Sequence, residues 1–175
     1  MNDSDFFLKI DQNIDPIVPI INKFLTTVEW KWVPYQNIAI NTSSIELEIL
    51  EACPLLSKFK QQFGGKFHLY NIPGQAVYTW HRDHSISCAL NMVLEEYHCH
   101  TLFSKSKHPL DSSPPDQSNI LSVVELKYES KKFYIFNNQL PHSVTNLDKD
   151  RTLVTYIFPK PTSYYEIRDW YLNTF

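Results

Sequence analysis

Two short stretches of this chain bring together residue types that bind metal ions. In Trp80-His81-Arg82-Asp83-His84, a histidine and an aspartate stand two positions apart. On an extended backbone successive side chains alternate faces, so His81 and Asp83 point one way and Arg82 the other. A His-x-Asp tripeptide arises easily by chance, and its weight comes from a second stretch. This runs Asn138-Gln139-Leu140-Pro141-His142-Ser143-Val144-Thr145-Asn146, then through a polar turn over 146–150 to Arg151, which opens an apolar strand. If the segments on either side of that turn are antiparallel neighbours, Arg151 comes within one small-molecule length of His142. Two histidines and one carboxylate on one face of an octahedral Fe(II) leave three positions open, enough for a bidentate 2-oxo acid and dioxygen. A guanidinium can then fork onto the far carboxylate of that acid.

These residues carry a resemblance. The pattern of His-x-Asp, a distant His and an Arg about ten residues later resembles the 2-oxoglutarate and Fe(II)-dependent dioxygenases, over roughly residues 67–158. Tyr70-Asn71-Ile72-Pro73-Gly74 followed by Tyr78-Thr79-Trp80-His81-Arg82-Asp83 resembles the lead-in of prolyl-hydroxylase-like members. His142-Ser143-Val144-Thr145-Asn146 and the run to Arg151 is similar to the aspartyl/asparaginyl-hydroxylase branch. The resemblance implies a double-stranded β-helix (jelly roll, cupin-like), with Fe(II) held by His81, Asp83 and His142 and 2-oxoglutarate by Arg151. It also implies consumption of O2, decarboxylation of 2-oxoglutarate to succinate and CO2, and hydroxylation of a C–H bond. By subfamily similarity the preferred substrate is a protein or peptide side chain (Pro, Asp or Asn); a small metabolite, free amino acid or nucleobase would use the same chemistry. The chain departs from the pattern at Leu153, where many members carry Ser or Thr to share the co-substrate carboxylate. Tyr70, Tyr78 and Asn91 are the candidates to supply the missing donor, against the ordinary roles of core aromatic and paired strand amide. A metal-binding cupin without turnover is the alternative of another class, but it has no need of a carboxylate clamp beside its distal His. A zinc hydrolase needs a general base and a different ligand set.

The elements that must position these residues are mostly strands. Residues 66–72, 76–81, 86–95, 97–103, 120–128, 132–136 and 151–158 are rich in aromatic and β-branched side chains and are separated by turn residues. Many short strands with helices only at the ends point to a closed or double-sheet architecture, mainly β with flanking helices. Upstream, Asp15-Pro16 forms an N-cap and first-turn pair, and Ile17, Ile20, Ile21, Phe24, Leu25 and Val28 recur at helical spacing. A second helical stretch starts near Ser43, where Ser43 and Glu46 have capping-box spacing, restarts at Pro54 and ends at Gly64-Gly65. Ser163 and Glu166 repeat the capping-box spacing before a final helix with Ile167, Trp170 and Tyr171 on one side. The reading is one domain, 1–175: a helical part about 14–64, a β core about 66–158 and a helix about 163–172.

The remaining features read as ordinary. His68, His98, His100 and His108 are expected to be structural or surface residues, His84 to be exposed by its opposite parity to His81, Arg82 to be a rim or salt-bridge residue, and Trp30, Trp32, Tyr35, Trp170 and Tyr171 to pack terminal helices on the barrel. Residues 108–119, with three prolines, form a long loop that reads equally as a lid or a plain insertion. A net charge of -3 over 175 residues, with signs interspersed, gives no basic stripe, so a nucleic-acid partner is possible but not indicated. Cys53, Cys88 and Cys99 are odd in number and lack CxxC spacing, which argues against a disulfide framework. The acidic N-terminus leads into no long apolar run, so neither a signal peptide nor a membrane span is expected and the cytoplasm is the expected compartment.

Overall fold

The alternation of side chains along three central strands builds the molecule. Strands β4 (Lys66–Ile72), β6 (Cys88–Val93) and β11 (Arg151–Ile157) lie side by side in the computed structural model, which describes residues 3–34, 38–42, 45–83, 85–106 and 120–175. One set of alternate positions, Phe67, Leu69, Leu90, Met92, Val154 and Tyr156, is buried in an apolar cluster with the helices. The other set, which includes His68, Tyr70, Asn91, Arg151, Leu153 and Thr155, lines a cavity. A strand buried on both faces need not alternate apolar with polar in a simple way; here one face is uniformly apolar and the other chemically mixed.

These strands belong to a seven-stranded antiparallel sheet, completed by β1 (Phe7–Lys9), β2 (Lys31–Val33), β3 (Ile38–Thr42) and β9 (Tyr134–Asn137), in the order β1-β9-β6-β11-β4-β3-β2. A second sheet holds β5 (Val77–His81), β10 (His142–Asn146), β7 (Cys99–Ser106) and β8 (Ile120–Leu126), in the order β5-β10-β7-β8. The two sheets face each other without closing into a barrel. Phe6, Phe103, Leu126, Tyr134 and Phe136 form a second, smaller apolar cluster between them.

Helices α1 (Ile17–Leu25), α2 (Glu46–Ala52), α3 (Pro54–Phe63) and α4 (Tyr164–Thr174) cover the outer face of the large sheet. Pro54 opens α3, and Gly64 ends it with φ 72°, a backbone that only glycine adopts without strain. The α4 capping box is formed in both directions between Ser163 and Glu166. Among the described residues no helix is long and apolar enough to cross a membrane.

Several expectations are corrected. Strands β2 and β3 lie in the part read as helical, and β1 precedes it, where no element was expected; three or five residues long, they are too short to show a period of their own and are ordered by pairing, β1 with β9, β3 with β4 and β2 with β3. Asp15 does not cap α1: Pro16 holds that position with no side-chain cap bond, and the Asp15 N–H donates instead to Asn13 Oδ1 at 2.8 Å. Trp32 lies 48% exposed on the edge strand β2 and is not part of the helix-packed cluster, whereas Trp30 packs against that cluster and Trp170 and Tyr171 pack on Phe59. The segments flanking residues 146–150 are not hydrogen-bonded neighbours: β10 is in the small sheet and β11 in the large one. The turn crosses between sheets because Arg151 and Leu153 share the cavity face while Val154 belongs to the core behind it. The expectations for Tyr35, Ser43, His84 and 108–119 lie outside the described residues.

Candidate active site

The strand pairing brings the two sequence stretches together. His81 closes β5, His142 opens β10, and the two are register partners, with ring centroids 4.3 Å apart. Asp83 follows two residues later on the same side. Its Oδ1 is 3.9 Å from His81 Nε2 and its Oδ2 3.8 Å from His142 Nε2. One ligand atom from each residue lies within 4.8 Å of the others, and among the described residues this is the cluster of His, Cys, Asp and Glu that could hold a metal ion.

Backbone carbonyls orient both imidazoles. His81 Nδ1 lies 2.7 Å from the Thr79 carbonyl and His142 Nδ1 2.9 Å from the Leu140 carbonyl. A carbonyl only accepts, so each Nδ1 carries a proton, which leaves Nε2 as the ring atom free to ligate. Burial pushes the His142 pKa down, and the neighbouring His81 adds to this, while Asp83 and the Leu140 hydrogen bond oppose it. A neutral imidazole is the state that ligates. Asp83 is held in turn by the chain before His142: its N–H donates to the Asn138 carbonyl at 3.1 Å, and Asn138 Nδ2 donates to Asp83 Oδ2. Gln139 Nε2 donates to the carbonyls of Asp83 (3.0 Å) and Ile86 (2.8 Å), pinning the loop behind the aspartate.

The three residues line one end of a cavity of about 800 Å³ between the sheets. The same cavity is lined by Arg151, which is 2% exposed. One of its terminal nitrogens, Nη1, lies 2.8 Å from Cys99 Sγ, and its Nε has no hydrogen-bond partner. Among the described residues no carboxylate pairs with it. A buried cation without an anion is costly, by several kcal/mol per ion, and a negative group entering this end of the cavity would relieve that cost.

Several hydroxyls line the same cavity as the guanidinium. The buried Tyr128 hydroxyl lies in the field of Arg151 and hydrogen-bonds with Asn91; burial raises its pKa, which keeps it a neutral donor. Thr155 Oγ1 donates to Asn91 Oδ1 at 2.9 Å. Thr101, 1% exposed, lines the cavity from β7 with an unpartnered hydroxyl. Tyr78 also lines the cavity near Arg151, its pKa raised by burial against the opposing effect of that charge. Tyr70 lines the same cavity, and burial first, with the charge of Asp83 second, pushes it up to about 12.

Sequence reasoning missed Tyr128 and Thr101. Their signal was parity, since Thr101 shares a face with Phe103, and Tyr128 with Leu126, but which face met the cavity depended on the sheet pairing. His68 was expected to be structural or at the surface; it stacks on Tyr70 (6.1 Å, 13° between planes) and lines the cavity. His98 and His100 are exposed near Asp148 and Glu125, as expected of surface residues.

No protein-family model and no curated protein matches this chain. Solved structures do match in fold. HygX from Streptomyces hygroscopicus, solved with nickel, 2-oxoglutarate and hygromycin B bound, is 10% identical, with 90% of this chain and 84% of that one covered and a TM-score of 0.60. A prolyl-4-hydroxylase from Pseudomonas putida is 14% identical over 89% of this chain and 93% of its own, with a TM-score of 0.59. A prolyl hydroxylase from Trichoplax adhaerens, in complex with a hypoxia inducible factor peptide fragment, is 12% identical over 97% and 87%, with a TM-score of 0.58. The fold is the jelly roll of these proteins.

Proposed function

We propose that this protein is an Fe(II)- and 2-oxoglutarate-dependent oxygenase that hydroxylates a C–H bond, with a protein or peptide side chain (Pro, Asp or Asn) as the preferred substrate class. One observation carries the reading: a cavity lined at one place by two neutral-nitrogen donors and a carboxylate, and at another by a buried arginine that lacks an anion. The donor set fits iron, since two imidazoles and one carboxylate on one side leave the remaining positions free. Iron and 2-oxoglutarate, when bound, supply oxidation of a C–H bond by dioxygen, with the 2-oxo acid released as succinate and CO2.

The chain's own residues have separable tasks. His81 and His142 present Nε2, and Asp83 supplies negative charge, held in place by Asn138. Arg151 receives the far carboxylate of 2-oxoglutarate through a charge-assisted hydrogen bond. Tyr128 and Thr101, with Asn91 and Tyr78 beside them, supply the neutral donors that Leu153 cannot. Together they exclude water from the carboxylate and fix the direction in which the co-substrate enters. The side-chain preference is supported by the resemblance of 142–151 to the aspartyl/asparaginyl-hydroxylase branch and by the peptide-bound structure of similar fold; the hygromycin B complex shows that the fold also admits small molecules.

The test is succinate formation from 2-oxoglutarate by protein loaded with Fe(II), first alone and then with Pro-, Asp- and Asn-containing peptides, free amino acids and nucleosides. Succinate that rises with a peptide, together with a mass increase of one oxygen on it, is the expected result. Iron binding without any 2-oxoglutarate binding or turnover would leave a metal-holding module and end the enzyme reading.

A further inference from the structure

Two connections carry the chain between the sheets close to Arg151, and they are bound to each other. Residues 73–76 lead from β4 in the large sheet to β5 in the small one; 147–150 lead from β10 in the small sheet back to β11 in the large one. Asn146, fully buried, stands where they meet. Its Nδ2 donates to the carbonyls of Ile72 (3.2 Å), Pro73 (2.7 Å) and Lys149 (3.1 Å), and its backbone N–H to the carbonyl of Ala76 (2.8 Å). One amide group therefore grips both connections, its two protons shared among three acceptors.

A second contact closes the same junction. The Gly74 N–H donates to Asp150 Oδ1 at 2.8 Å, and a Cβ on Gly74 would stand 2.2 Å from the Asp148 carbonyl oxygen. Only a residue without a side chain lets the two connections approach so closely. The junction sits beside Arg151, because Ile72, whose carbonyl Asn146 holds, is Arg151's register partner on β4. It sits away from the metal-ligand histidines: along the β5–β10 ladder Val77 pairs with Thr145 at the junction end, and His81 with His142 at the other.

Resting on the proposed function, we propose that Asn146 is a positioning residue, which ties the two inter-sheet connections together and thereby sets where Arg151 stands for the carboxylate of 2-oxoglutarate. The amide does this because it is a donor facing three carbonyls. An aspartate of the same shape would face them with oxygen alone. A forked, charge-assisted hydrogen bond depends steeply on its length and angle, so even a small displacement of the guanidinium loosens its grip on the carboxylate.

The experiment uses the full chain loaded with Ni(II), so that nothing turns over. Calorimetry gives the dissociation constants of Ni(II) and then of 2-oxoglutarate, and hydrogen–deuterium exchange follows 147–151, 81–83 and 142–144. Asn146→Asp and Gly74→Ala are each expected to weaken 2-oxoglutarate binding by about tenfold or more. Each should speed exchange at 147–151 and leave Ni(II) affinity and exchange at 81–83 and 142–144 as in the wild type. Should Asn146→Asp fail to fold, Gly74→Ala, which removes no hydrogen-bonding group, carries the same comparison. Normal 2-oxoglutarate affinity in variants that exchange faster or melt earlier would make Asn146 structural only and overturn the proposal, as would parallel loss of Ni(II) and 2-oxoglutarate. Wild-type protein that binds Ni(II) but not 2-oxoglutarate would overturn the proposed function as well, and that result appears before any variant is made.

Discussion

Arg151 is a buried charge whose side-chain partner is the Cys99 thiol and which shares its cavity with hydroxyls and apolar side chains, and at the scale of the residue this is the feature that most constrains function. A charge-assisted hydrogen bond is worth about 1.5–3 kcal/mol. Replacing Arg151 by Ala should therefore raise the apparent Michaelis constant for 2-oxoglutarate by at least about tenfold, since about 1.4 kcal/mol is a factor of ten. Affinity for Fe(II) or Ni(II) in the absence of co-substrate should not move, because Arg151 is not one of the proposed metal ligands. Lys at this position should be milder but still impaired, having lost the fork. An Arg151→Ala protein that bound 2-oxoglutarate normally would return the residue to a structural role. Tyr128 offers a neutral hydroxyl in the same place. Tyr128→Phe should cost about 1 kcal/mol of 2-oxoglutarate binding, roughly fivefold; calorimetry that found no change would remove Tyr128 from the site.

At the scale of the element, the same strands that build the cavity also carry the core, and helices only back them. Helix α4 is held at its start by the reciprocal Ser163 and Glu166 bonds and by the buried Tyr164, Ile167 and Tyr171. A cap of this kind contributes about 1 kcal/mol. Ser163→Ala should lower the urea midpoint correspondingly without altering 2-oxoglutarate affinity, since α4 packs on the face of the large sheet that points away from the cavity. A change in co-substrate affinity in this variant would mean that the helix layer and the site are coupled.

The whole molecule has three layers: helices, the large sheet and the small sheet. Its main apolar cluster lies between the first two, and the cavity between the last two. Phe59 on α3 anchors the outer layer, with ring contacts to Phe158, Trp170 and Tyr171 at 5.5, 5.0 and 6.4 Å. Truncating it leaves a cavity that α3 and α4 share. Phe59→Ala should destabilise the protein by about 3–5 kcal/mol, read as a fall in thermal or urea midpoint. Below the new midpoint Ni(II) affinity should match the wild type. Concomitant loss of Ni(II) binding by folded protein would show that the layers do not act separately.

Local signals sufficed for part of this architecture. The α3 stop at Gly64, the α4 capping box and the strand-rich texture from Lys66 onward depend on near neighbours in the chain, and the sequence by itself determined them. That His81 and Asp83 share a face was suggested by the pleat of an extended chain, but β5 ends at His81, and Asp83 is fixed beyond it by Asn138, a residue far along the chain. Only the tertiary structure decided that β10 and β11 belong to different sheets, so that His142 and Arg151 line one cavity from opposite walls and not from one hairpin. Sheet membership follows from how the apolar faces of all the strands are shared between two clusters, a property that no single segment carries. The same holds for Tyr128, Thr101 and His68. Their parity was legible, but whether a given face meets apolar core, solvent or cavity is set by the sheet or helix packed across from it, and that partner lies tens of residues away in the chain.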